Sequence, residues 1–116
     1  MQDFKKLKVW QKSHDLTIAV YQVSKSFPKD ERFGLTSQIR RAAVSIPANI
    51  AEGCGRPTGK DRARFFGIAG GSASETEYLL ILSHDLNFID KEAEVELLEK
   101  VREIKRMLTS LMSKME

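Results

Sequence analysis

The chain has 116 residues, one cysteine and a net charge of +3, with the apolar and charged fractions of an ordinary soluble globular protein. That length holds one domain with a core of its own, and the single Cys54 excludes an intramolecular disulfide. The longest unbroken apolar run, Tyr78-Leu79-Leu80-Ile81-Leu82, is far short of the roughly 20 residues a membrane span needs, so no membrane role is expected. Met1-Gln2-Asp3-Phe4-Lys5-Lys6 opens no hydrophobic signal region, which together with the unpaired thiol predicts a cytoplasmic location.

The first helix is expected over about residues 8–26, stopped by Phe27-Pro28. It carries two apolar stripes, Leu7, Trp10, Ile18, Tyr21 and Val9, Leu16, Val20, Val23, Phe27. One bundle core uses one stripe, so the second implies either another buried contact, most simply a second subunit, or a single broad face. Helix two is expected over about 31–53, with Leu35, Ile39, Ala42/Ala43, Ile46 and Ile50 on one face and either Asp30 or Thr36 as its cap. Pro47 stands inside it, where a proline deletes a backbone hydrogen bond and costs about 3 kcal/mol unless packing offsets it.

Residues 53–59 then read as a glycine-rich loop, and Thr58 followed by Asp61 as a capping box opening helix three over about 59–86. Its expected core stripe is Phe65, Ile68/Ala69, Ser72, Thr76, Leu79, Leu82/Ser83 and Leu86. Gly67, Gly70 and Gly71 each cost about 1 kcal/mol relative to Ala within a helix, which predicts close approach of another backbone. Asn87 suits a left-handed C-cap and Asp90 an N-cap for helix four, over about 90–115. There Leu97, Val101, Ile104, Leu108, Leu111 and Met115 form a regular a/d seam. No alternating strand pattern appears. The fold class is therefore all-α, an antiparallel up-and-down four-helix bundle in a single domain.

The apparent chemical motifs fail on inspection. Gly55, Gly59 and Lys60 have the wrong spacing for a P-loop, and the loop follows a helix where nucleotide fingerprints follow a strand. His14 and His84 lack neighbouring ligands at metal spacing, so no metal or cofactor is expected. Cys54 has no base beside it, and no acid, base and nucleophile converge, so no catalytic residue is assigned. Arg41, Ser45, Asn49 and Glu52 recur every three or four residues on helix two. With Arg40, and with Ser72 and Glu75 on helix three, they predict a structural polar network in which Arg40 or Arg41 forks onto Glu52 or Glu75.

The segments Ser37-Gln38-Ile39-Arg40-Arg41-Ala42 and Ser45-Ile46-Pro47-Ala48-Asn49-Ile50-Ala51-Glu52-Gly53 carry a specific resemblance. So do Phe4, Leu7, Val9, Trp10 and Gln11, then Tyr21, Phe27-Pro28, Glu31, Phe33 and Gly34-Leu35, and finally Ile68-Ala69, Gly71-Ser72 and Glu75. In this order they resemble the 23S rRNA-intervening-sequence protein family over nearly the whole chain. The family takes its name from reading frames inside intervening sequences of bacterial 23S rRNA genes. The resemblance implies an up-and-down four-helix bundle assembled into a ring-like homopentamer, with no catalytic residues to carry over. The accessory proteins of diversity-generating retroelements are similar in shape, which implies a basic surface for RNA or DNA and a protein partner such as a nucleic-acid enzyme.

Charge is unevenly distributed. Residues 1–64 hold 13 Lys/Arg against 6 Asp/Glu, for +7, and residues 65–116 hold 6 against 10, for −4. Either an anionic partner meets the first half or the two halves attract each other. Lys5, Lys6, Lys8 and Lys12 cluster near the start of helix one, and Arg56, Lys60, Arg62 and Arg64 near the start of helix three. Antiparallel topology puts both starts at one end of the bundle. The expected function is thus a non-enzymatic homo-oligomer that binds nucleic acid, RNA first, through these eight residues. The competing expectation is a protein–protein interaction adaptor with no nucleic-acid role.

Overall fold

The computed structural model describes residues 2–115 and contains four α-helices with no strand among them. They are α1 (Lys8–Ser24), α2 (Leu35–Cys54), α3 (Gly59–Asp85) and α4 (Lys91–Met112). Short 3-10 turns precede α1 (Phe4–Lys6) and α2 (Lys29–Glu31). Consecutive helices pack on one another and α4 closes back on α1, giving an antiparallel bundle 43 × 24 × 20 Å across.

Local chemistry fixes the helix ends. Thr58 caps α3 by accepting from the Asp61 amide at 3.1 Å, and Asp90 caps α4 by accepting from Ala93 at 2.8 Å. Asn87 adopts φ 64° where α3 turns into α4, a left-handed position that Asn tolerates well. Helix α2 starts at Leu35, later than the expected 31, and neither Asp30 nor Thr36 caps it. The Glu31 carboxylate accepts from the Leu35 amide at 3.0 Å, and Lys29–Glu31 forms its own turn.

The core runs the length of the bundle through Leu16, Val20, Ile39, Ile46, Ile50, Phe66, Leu79, Leu80, Val101, Ile104 and Leu108, all essentially buried. Full burial of one such side chain stabilises by about 1.5–3 kcal/mol. On α1 the core stripe is the one containing Val9, Leu16 and Val20, continued just past the helix by Phe27, while Ile18 and Tyr21 of the other stripe remain exposed. On α3 the expected stripe is wrong by a residue in places. Phe66, Ala69, Ala73, Thr76, Leu79, Leu80 and Ser83 are buried, whereas Ile68 and Leu86 are exposed and Phe65 lies at the margin.

Helix α2 is continuous through the buried Pro47. The expected close approach at the α3 glycines is absent within the protomer. A Cβ added to Gly67, Gly70 or Gly71 meets nothing within 4 Å. The close approach lies at Gly53, where a Cβ would stand 2.7 Å from Phe66 Cε1 and 3.2 Å from the Arg62 carbonyl oxygen.

Candidate nucleic-acid interface

The end of the bundle where α1 and α3 start is stitched together by backbone and aromatic contacts. The Gln2 amide donates to the Cys54 carbonyl at 3.2 Å, which lays the N-terminal segment across the end of α2. Asp3 caps the first 3-10 turn through the Lys5 amide, and Gln11 Nε2 donates to the Lys5 carbonyl at 2.8 Å. Phe4 packs edge-on against Trp10 with ring centroids 5.0 Å apart. On the other side of this end, Arg62 Nη1 donates to the Arg56 carbonyl at 3.0 Å and fastens the 53–59 loop to α3.

Gln2 and Arg62 also line an open groove of about 800 Å³ whose walls include Lys60, Leu111, Lys114 and Met115. Its floor is partly apolar, and three cationic side chains rim it. Lys60 sits in the first turn of α3, where the helix dipole disfavours a cation and favours an incoming anion. Lys114 and Gln2 were not singled out from the sequence. Lys114 was within reach of the same topological argument as Lys60, because α4 must end where α3 begins.

The eight basic residues chosen from the sequence divide into two groups. Lys5, Lys6, Lys8, Lys60 and Arg62 have no carboxylate partner among the described residues. Lys12 instead pairs with Glu103 of α4 at 3.3 Å, Arg56 with Glu52 at 2.8 Å, and Arg64 with Asp61 at 3.2 Å. The guanidinium carbons of Arg56 and Arg64 lie over the Phe65 ring, 4.7 and 4.4 Å from its centroid. Exposed contacts of either kind contribute about 1 kcal/mol or less each, but together they hold both guanidiniums in place. Lys12–Glu103 is also the one ion pair among the described residues that joins the basic first half to the acidic second half. Attraction within the protomer therefore consumes little of the charge asymmetry.

The polar residues of α2 and α3 are arranged differently from the expected fork. Ser45 and Ser72 hydroxyls meet at 2.8 Å, and Asn49 Nδ2 donates to the Ser45 carbonyl and hydroxyl at 2.7 and 2.9 Å. Arg40 turns to α1, donating to Ser24 Oγ at 2.8 Å while its guanidinium covers the Tyr21 ring. Glu52 is taken by Arg56. Arg41 and Glu75 line an open groove of about 550 Å³ with Ser37, Gln38, Ser45 and Ser72, and make no ion pair among the described residues.

His14 stacks on Trp10 at 5.0 Å, and His84 lies at the far end of the bundle, 3.6 Å from both Asp85 and Glu94. The Cys54 thiol is fully buried, and burial raises its pKa despite the nearby Arg62. Among the described residues no three His, Cys, Asp or Glu side chains gather where they could hold a metal ion. No described helix is long and apolar enough to cross a membrane.

Comparison with known proteins adds two findings. The family described as 23S rRNA-intervening sequence protein matches residues 5–110. A crystal structure of a protein with unknown function from the S23 ribosomal protein family of Bacteroides thetaiotaomicron superposes with a TM-score of 0.81 at 28% identity. The match covers 90% of this chain and 97% of that one. No curated protein matches the chain.

Proposed function

The chain belongs to the 23S rRNA-intervening sequence protein family, and on that premise we propose that it is a non-enzymatic, homo-oligomeric bundle that binds nucleic acid, RNA first, as an accessory to a larger nucleic-acid enzyme. The observation that carries this reading is the meeting of Lys5, Lys6, Lys8, Lys60 and Arg62 at one end of the bundle without carboxylate partners among the described residues. Unpaired cations at one end of a bundle can neutralise backbone phosphates and release counterions, which gives largely sequence-independent binding that weakens with salt.

The assembly we propose is a homopentameric ring, which would repeat the cationic end about its symmetry axis. Exposed Ile18 and Tyr21 on α1, Val44 on α2, and the uncovered backbone at Gly67, Gly70 and Gly71 support contacts between copies. One observation favours the adaptor alternative. Phe33 is 87% exposed at the far end of the bundle, a position suited to anchoring a protein partner.

Fluorescence anisotropy with a structured RNA, a DNA duplex and a single strand, at low and physiological salt, separates the two readings. The nucleic-acid reading expects salt-sensitive binding that is lost when Lys5, Lys6, Lys60 and Arg62 are replaced by Gln with the fold intact. Absence of binding to every probe at low salt would leave the adaptor.

A further inference from the structure

Phe65 and Phe66 are neighbours in sequence with opposite fates. Phe66 is fully buried, while Phe65 lies outside the core beneath two guanidiniums at the cationic end. A large aromatic ring that does not fill the core, and that is covered by cations already paired with carboxylates, is not explained by bundle packing. Nor do Arg56 and Arg64 serve best as phosphate ligands. Glu52 and Asp61 occupy hydrogen-bonding edges that a phosphate would need.

We infer that Arg64, supported by the Phe65 ring and tethered by Asp61, is a stacking platform for an unpaired nucleobase, so that the preferred ligand is single-stranded nucleic acid. The inference rests on the nucleic-acid reading above and names the ligand class of that same end. Three observations carry it. Arg64 Nε is fixed to Asp61 Oδ1 at 3.2 Å, and its Cζ stands 4.4 Å from the Phe65 centroid. The Arg64 side chain is nonetheless 59% exposed, so it stays accessible to a ligand.

Arg56 lies over the same ring. Its Nη2 is held by Glu52, and its Nε is buried without a partner. Guanidinium planes and aromatic rings are the surfaces on which proteins stack splayed bases. Lys60 precedes Arg64 by four residues on the same face of α3, one turn away, where it meets the phosphate adjoining a base stacked on Arg64. Bases in a duplex are stacked on each other and offer no such face, which is why a strand with unpaired bases fits and a helix does not.

The test compares three probes of matched phosphate number: a short unstructured single-stranded RNA, the same strand lacking its bases, and a duplex of half its length. The single strand is expected to bind about tenfold more tightly than the abasic strand. Arg64→Lys, which keeps the charge and loses the plane, is expected to abolish that preference. Phe65→Leu is expected to reduce it as well, provided its circular dichroism and thermal midpoint match the parent. Equal affinity for based and abasic strands, or a preference that survives Arg64→Lys, overturns the platform while the electrostatic reading stands. Failure of all three probes to bind at low salt overturns both.

Discussion

Thr17 Oγ1 lies 3.1 Å from the Ala43 carbonyl oxygen, and Ala43 is the residue four positions before Pro47. Proline has no amide hydrogen, so this carbonyl lacks its helical donor. A hydroxyl from α1 reaches across to it inside the core, and also lies 2.8 Å from the Ser13 carbonyl on its own helix. The hydroxyl has one hydrogen to share between the two carbonyls, so the proline in the middle of α2 is accommodated in part by a neighbour from another helix.

Removing that hydroxyl should expose the defect. Thr17→Val is expected to destabilise the protein by about 1–3 kcal/mol, the cost of an unpaired buried carbonyl. Pro47→Ala restores the amide donor, so the double variant should recover most of the loss. Urea unfolding of the four proteins measures the coupling, and additive effects would show that Thr17 does not serve the Ala43 carbonyl.

The glycines make opposite predictions. Ala in place of Gly normally favours a helix by about 1 kcal/mol. At Gly53 the new methyl would collide with the Phe66 ring and approach the Arg62 carbonyl, so Gly53→Ala should instead destabilise by about 1–3 kcal/mol. Gly67→Ala, Gly70→Ala and Gly71→Ala should each stabilise the protomer, because nothing within it occupies the space. If copies pack on this strip, the same three changes reduce subunit number in sedimentation analysis. An unchanged subunit count would remove the glycines from the assembly contact.

Glu77 predicts acid sensitivity. Hydrogen bonds from Lys105 and Arg102, both 2.8 Å, hold its pKa below the ordinary glutamate value. A carboxylate depressed in the folded state stabilises fully above its unfolded pKa of about 4.3 and loses that contribution as pH falls through the folded value. Glu77→Gln should cost about 1 kcal/mol at neutral pH, given partners half and one-third exposed. The gap in thermal midpoint between variant and parent should close on acidification. A constant gap down to strongly acidic pH contradicts this assignment.

Cys54 should resist thiol reagents. Its side chain is fully buried and its pKa raised by that burial, so the thiolate is scarce and inaccessible in the folded protein. An aromatic disulfide reagent at neutral pH should label it at the rate of unfolding, and promptly in denaturant. Prompt labelling without denaturant would mean that the end of α2 opens easily.

Much of the fold was legible because its signals are local. Thr58 and Asp90 name their own helix starts, Asn87 its turn, and the α4 seam at Leu97, Val101, Ile104 and Leu108 repeats without interruption. The start of α2 was less legible because Glu31 caps it with a longer side chain from a separate turn. On α3, Phe65-Phe66 offers two equal candidates for one core position, and the glycines and serines that follow give a weak pattern to choose between them. Phe66 is the one that fills it, seated against Gly53 of another helix. The cationic end was legible by topology, but carboxylate pairing at Lys12, Arg56 and Arg64 depends on side-chain reach, which spacing in the sequence does not encode.

The contact of Gly53 with Phe66 has a consequence at the surface. Successive residues on an α-helix are separated by about 100° of rotation. Seating Phe66 against a position that admits no side chain therefore helps to set the rotation of α3 about its axis, together with the buried Ala69, Ala73, Thr76, Leu79, Leu80 and Ser83. The direction in which Phe65 leaves the helix is inherited from the core. The ring beneath Arg64 is thus aimed in part by a glycine on another helix, and a substitution deep in the bundle would shift that aim.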